Sequence, residues 1–331
     1  AMENYASVEV RDIVGAELLE YVSAIALTYG TNPFHNFEHA CHVAMSVNKL
    51  LSRIVAPDLS RKDMDLVEEG GLSSHLHDFT HGIHSDPMAV FAIVFSALIH
   101  DADHRGVSNV QLAKEEPEMG EMYHCKSVAE QNSLDVSWEL LMSSQFENLR
   151  ALLFGSEAEL MRFRQLIVNV VLATDIFDKE LNDMRKTRWE RAFSSEGDQP
   201  AEQDLSDMRA TIVMEHIIQA SDVSHTMQHW HVYQKWNKYL FMEMYEAYRA
   251  GRMAVDPSTF WYQGELGFFD NYILPLAKKL KDCNVFGVSS DEYLNYAVLN
   301  RAEWEQRGKE ITDGYVLKAI NASATDMDDM D

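Results

Sequence analysis

Ile99-His100-Asp101-Ala102-Asp103-His104-Arg105-Gly106-Val107-Ser108-Asn109 comes directly after an apolar run, Met88 to Ile99. The run is long enough for about three helical turns and carries almost no polar atom, so it reads as a buried helix. Two histidines and two carboxylates then crowd together. Burying such groups bare costs several kcal/mol, and a metal ion is the most economical partner for all of them. His100 and His104 stand at i and i+4, on one helix face. Gly106 and Asn109 are expected to break it. A helix end with solvated polar residues is the plainer reading, and a lone HxxxH does not separate the two. The vicinal His100-Asp101 pair does: it points two ligands in different directions, which suits a site with more than one metal.

Three other stretches are alike in kind. Phe34-His35-Asn36-Phe37-Glu38-His39 repeats the i, i+4 histidine spacing with His35 and His39. Gln219-Ala220-Ser221-Asp222 ends an apolar helical run, and so does Leu172-Ala173-Thr174-Asp175. A single buried acid at a helix end is most often a cap or an ion-pair partner. Four such stretches in one chain favour a site. His39, His100, Asp101 and Asp222 make a His2Asp2 set suited to zinc or another borderline metal. Asp101 has a second oxygen with which to bridge to a more hydrated ion such as magnesium.

Outward from these stretches, helical periodicity dominates. Helices are expected over Arg11–Tyr29, Phe34–Val55, Met88–Ile99, Lys126–Met142, Glu157–Leu181, Asp207–Ser221, Tyr233–Gly251, Gly264–Lys281 and Ser290–Lys309, with a short acidic helical region over Val110–Met122. Ser73–Asp86 holds His75, His77, His81 and His84 and reads as a mobile surface loop rather than a metal site. Arg61–Gly71 reads as an acidic surface element. Ser194–Asp204 and Arg252–Gln263 read as loops, and residues 1–9 and 321–331 as frayed ends. No period-2 strand, repeat or linker divides the chain. The expectation is one all-α, compact multi-helix domain with a core over about residues 10–315.

The chain has 331 residues, 46% of them hydrophobic, and a formal charge of −25, which argues against coating a nucleic acid. Cys41, Cys125 and Cys283 lie far apart with no CxxC, so no disulfide framework or cysteine zinc site is indicated. An intracellular location is expected. No run of 18 apolar residues or signal peptide is present, so no membrane contact is expected from this segment. Ala1-Met2 reads as a cloning remnant, and the domain is expected to come from a longer chain with fused regulatory or membrane domains.

The motifs resemble those of the class I cyclic-nucleotide phosphodiesterase catalytic domain, a branch of the HD-type metal phosphohydrolases. His100 to Asn109 matches that family's HDxxHxGxxN signature at every fixed position. His35-Asn36-Phe37-Glu38-His39-Ala40 matches its HNxxHA element, and Thr174-Asp175 and Ala220-Ser221-Asp222 match later ones. The resemblance covers roughly residues 30–285. It implies hydrolysis of a 3′,5′-cyclic nucleotide to the 5′-monophosphate by a hydroxide bridging two divalent metals. The first metal, usually Zn2+, would be held by His39, His100, Asp101 and Asp222. The second, Mg2+ or Mn2+, would share Asp101, its water shell supported by His104, Glu130 and Thr174. His35 would be the general acid, and needs a carboxylate partner to stay protonated near pH 7.

The resemblance also implies a base pocket of His225, Tyr233, Trp236, Asn237 and Leu240. Phe268 would stack on the purine, with Ile176 or Val223 opposite. Trp236 and Leu240 have an equally good reading as core. The family's usual glutamine is replaced here by Glu265. An ionised glutamate only accepts hydrogen bonds, and guanine N1–H and N2–H2 offer it two donors where adenine offers one, so the expectation leans to cyclic GMP. His42, where many members carry aspartate, and the insertion around Ser73–Asp86 are further departures. The alternatives are a metal phosphohydrolase for another nucleotide, or a catalytically weak domain that binds a cyclic nucleotide and regulates an attached module.

Overall fold

The structure is a computed structural model that describes residues 12–54, 80–193, 202–283, 285–286 and 291–328. Among these every regular element is helical and no strand occurs, as expected of an all-α chain. In order they are α1 (Asp12–Thr28), α2 (Phe37–Leu51), α3 (Pro87–Ile99), α4 (Asn109–Glu115), α5 (Pro117–Met122), α6 (Val128–Met142), α7 (Glu147–Leu153), α8 (Glu157–Leu172), α9 (Lys179–Phe193), α10 (Glu202–Asp222), α11 (Trp230–Arg249), α12 (Trp261–Phe268), α13 (Leu274–Asp282) and α14 (Asp291–Asp328). A π-helical turn, Phe269–Ile273, joins α12 to α13. No helix among the described residues is long and apolar enough to cross a membrane.

α3 is apolar all round because it is buried on two sides. Ala89, Ile93 and Ala97 join Val43, Val47 and Leu50 of α2 and Val213, Ile217 and Ile218 of α10 in one cluster. Ala92, Phe95 and Ile99 join Tyr21 and Ile25 of α1 and Phe163, Ile167 and Val171 of α8 in another. Pro87 at the first turn and the Asp86 carboxylate, which accepts from Met88 N and Ala89 N, start the helix. This double burial carries the polar stretch after Ile99 into the interior, where α2, α10 and α11 converge on it.

Several expected boundaries move. α3 ends at Ile99; His100 is its cap residue, and Asp103 takes a left-handed φ of 61°. His100 and His104 therefore do not share a helix face. Likewise His35 precedes α2, whose cap Asn36 accepts from His39 N at 3.0 Å, so His35 and His39 are not one helical turn apart. The helix expected over 157–181 divides into α8 and α9, because Asp175 Oδ1 accepts from Phe177 N and Asp178 N and turns the chain. α7 is not among the expected helices, and α12 begins within the loop expected over Arg252–Gln263. α14 continues well past Lys309 into the expected tail. Residues 1–9, Arg61–Gly71, His75 and His77 lie outside the described residues. Where Ser73–Asp86 is described it is not a loose loop: Thr80 and Ile83 are buried and Asp86 caps α3.

Candidate active site

His39 and His100 are buried, and Asp101 and Asp222 sit beside them. His39 Nε2 is 3.0 Å from Asp222 Oδ1 and 3.7 Å from Asp101 Oδ2. His100 Nε2 is 3.1 Å from Asp101 Oδ2 and 3.5 Å from Asp222 Oδ1. His100 Nδ1 lies 3.0 Å from the carbonyl of Ala97, to which it donates. In a neutral ring Nε2 is then a bare lone pair turned toward two carboxylate oxygens, and it makes no hydrogen bond. Either a proton or a cation must sit there. Burial pushes the His100 imidazolium down, but Asp101 and Asp222 outweigh it and hold it well above the usual range. Burial in turn raises both aspartates, and the histidines outweigh that and hold them low. Ligand atoms of His39, His100 and Asp101 all lie within 4.8 Å of one another. The donor set and the unpartnered Nε2 fit a divalent metal.

His35 belongs to a second cluster. Its Nδ1 is 2.5 Å from Glu243 Oε1, while Phe34 N and His35 N both donate to Glu243 Oε2 at 2.9 Å. Burial alone would lower the His35 imidazolium; the charges of Glu243 and Asp101 hold it up at about 9. The carboxylate that His35 requires is thus Glu243, on α11, a residue that no motif in the sequence marks. Its one signal is spacing: seven residues after Trp236, it falls on that residue's helix face. The His104 ring packs against His35 at a tilt of 32°, with centroids 3.9 Å apart. His104 Nδ1 accepts from Gly106 N at 3.1 Å, and burial with the His35 charge lowers its pKa to about 4, so it packs there as a neutral ring.

On the far side of Asp101, Asn109 Nδ2 donates to Glu130 Oε2 at 3.0 Å and to Asp175 Oδ2 at 3.3 Å. Burial and the Asp175 charge raise Glu130 to about 7. The Thr174 hydroxyl donates to Val171 O, completing the last turn of α8.

A family model described as 3′5′-cyclic nucleotide phosphodiesterase matches residues 34–288, most of the chain. The chain belongs to this family. It is 27% identical over 281 residues to the probable 3′,5′-cyclic-AMP phosphodiesterase pde-4 of Caenorhabditis elegans, covering 82% of this chain and 37% of that one. It is 25% identical over 275 residues to the human dual specificity calcium/calmodulin-dependent 3′,5′-cyclic nucleotide phosphodiesterase 1C, covering 80% and 33%. The chain thus spans a little over a third of the first relative and a third of the second. The fold is shared with the crystal structure of the phosphodiesterase domain of Salpingoeca rosetta rhodopsin phosphodiesterase, with a TM-score of 0.66 and 20% identity over 94% of this chain and 87% of that one.

Glu265, expected where the family carries a glutamine, is buried and accepts from Tyr233 Oη at 2.7 Å. Trp261 Nε1, which can only donate, fixes Asn237 Oδ1 as an acceptor at 3.2 Å, so Asn237 Nδ2 is left to donate to Tyr233 Oη at 3.4 Å. Every proton in this chain of groups is directed toward Glu265. Burial raises its carboxyl to about 7. Gln263 is exposed. Phe268 is half-buried and stacks on Tyr272 with centroids 5.4 Å apart. Ile176 is half-buried and Val223 buried. His225 and Trp236 are buried around Phe34, and Trp236 also packs on His39 and His42; Leu240 packs on the larger core cluster. For Trp236 and Leu240 these contacts are those of core residues.

Proposed function

We propose that the chain hydrolyses a 3′,5′-cyclic nucleotide to the nucleoside 5′-monophosphate. The observation that supports this most is the closeness of two unlike groups: the metal-type set of His39, His100, Asp101 and Asp222, and the His35–Glu243 pair, whose proton Asp101 and Asp222 help to hold. By its nitrogen and carboxylate donors the first set would hold a zinc ion, and Asp101, with support from His104, Glu130 and Thr174, would hold magnesium or manganese. Bound ions supply an acidified water and countercharge for the phosphate.

The chain's residues do the rest. As the water oxygen bonds to phosphorus, the P–O3′ bond breaks and O3′ needs a proton. His35 carries it: Nδ1 is committed to Glu243, so Nε2–H is the donor. A pKa of about 9 keeps the imidazole charged near neutrality. Neutral His104, packed against it at a tilt, holds the ring in place without competing for the proton.

Within this reading we favour cyclic GMP. Glu265 is the end of a row of donors and, once ionised, only accepts, which suits guanine N1–H and N2–H2. We also place the chain inside the cell, and read it as the catalytic part of a longer protein; its short span of its relatives supports the second of these. Hydrolysis of both cyclic nucleotides, assayed with chelator and with zinc and magnesium restored, tests the activity. No turnover of either with metal restored overturns it.

A further inference from the structure

Two segments that are distant in sequence carry the acid–base pair: the lead-in to α2 carries His35 and the turn after α3 carries His104. One side chain joins them. Asn32 Nδ2 donates to His104 O at 2.7 Å and to His35 O at 3.1 Å. Both hydrogens of one amide nitrogen are thereby spent on the carbonyls of the two histidines whose rings are in contact. The amide cannot be flipped, because Oδ1 would then face two acceptors. Asn32 is itself anchored: its carbonyl accepts from Asn36 Nδ2 at 2.9 Å, and Asn36 Oδ1 caps α2 at His39 N. The close approach also explains Gly106. A Cβ there would lie 3.1 Å from Asn32 Oδ1, and the residue sits at φ +66°.

We propose that Asn32 is a positioning residue for proton transfer: it sets the register of the His35 loop against the signature turn, and so places the His35 ring on His104 and its Nε2 toward the leaving oxygen. This rests on the phosphodiesterase reading of the pocket, but its geometric core does not. The Asn32 side chain bonds neither the metal-type set nor the groups assigned to the base; the two carbonyls it holds are those of His35 and His104.

Asn32→Asp is the sharpest variant. It is isosteric, removes both donors and turns an acceptor toward two carbonyls. The expected result is a fall in kcat of about 10²-fold, the usual effect of displacing a reacting group by about an ångström, with KM and metal content nearly unchanged. In a His35→Asn background the same change should cost almost nothing more, since residues that act through one another are not additive. Asn32→Ala should behave likewise. A cyclic nucleotide with sulfur in place of O3′ releases a thiolate that needs no proton, and the variants should lose much less on it. Losses that multiply across the cycle overturn the proposal and make Asn32 merely structural. A crystal structure of Asn32→Asp gives a readout independent of turnover: the two rings, in contact with centroids 3.9 Å apart in the parent, should move apart. Rings still in that contact overturn the proposal whether or not the parent is active. A parent inactive on both cyclic nucleotides with the rings separated in the variant would fail the functional reading alone.

Discussion

His35 holds its proton against the cost of burial because Glu243 meets it with one oxygen and fastens its backbone with the other. Glu243→Gln keeps the shape and removes the charge. The acid works protonated, so rate is lost as pH rises through its pKa. The parent should show that alkaline limb near 9, and Glu243→Gln should move it toward neutrality. A limb that does not move in a kcat–pH profile assigns the proton to another group. His35→Asn should cost roughly 10²- to 10⁴-fold in kcat with metal content intact; lost metal would make His35 a ligand. Glu265 offers a second titration. Below about 7 its carboxyl is protonated and can donate to adenine N1 or guanine O6; above it the group only accepts. The ratio of kcat/KM for cyclic GMP over cyclic AMP should therefore rise with pH through that region and flatten in Glu265→Gln. A ratio unaffected by pH or substitution sinks the edge-reading argument. The metal-type residues are legible in the chain because vicinal and capped acids after apolar runs are locally odd. The partner of His35 is legible only as a requirement, since no local pattern says which distant acid will meet it.

The element that decides the fold, α3, is legible in the sequence to within a residue at both ends, because its apolar run and its Asp86-Pro87 start are strong local signals. The turn beyond its last residue is not, for a definite reason. His100 through His104 is compatible with helix at every position, so spacing alone extends the helix. The actual break is Asp103, an aspartate in the left-handed region, a conformation that Asp tolerates better than most residues but does not announce. The break turns His104 onto His35 rather than His100. The division between α8 and α9 is hidden in a similar way: Asp175 taken alone is one more acid at a helix end, yet its capping bonds are what end the helical run. Gly106 is the next hinge of the signature turn. Gly106→Ala must hold a Cβ at φ +66° and push on Asn32, so it should lose about 1–2 kcal/mol in urea unfolding. Because the strain falls on the Asn32 contact, kcat should drop as well. Wild-type stability and turnover would show that the turn relaxes without disturbing the contact of the two rings.

At the scale of the molecule, the metal-type set closes a very long loop. His39 stands in α2, His100 and Asp101 after α3, and Asp222 at the end of α10. In the unfolded chain these groups are far apart, so a cation held by all four binds the folded state and stabilises it by mass action, by about 4 kcal/mol at a thousandfold excess over Kd. The metal-free protein has its own device at the same place: a proton on His100 between Asp101 and Asp222. The two respond oppositely to pH. A histidine whose folded pKa is raised adds stability that is fully present below the unfolded value of 6.5 and is lost as pH rises through the higher folded value. Metal binding needs that nitrogen deprotonated, so it strengthens as pH rises. The difference in melting temperature between zinc-loaded and chelator-treated protein should therefore widen from about pH 5.5 to about pH 8. Asp222→Ala removes one carboxylate from both arrangements, so zinc should shift its melting much less. Equal melting with and without chelator at the alkaline end of that range, together with no ion in the dialysed protein, would mean that the His100–aspartate cluster is held by its proton alone and that the metal assignment is wrong.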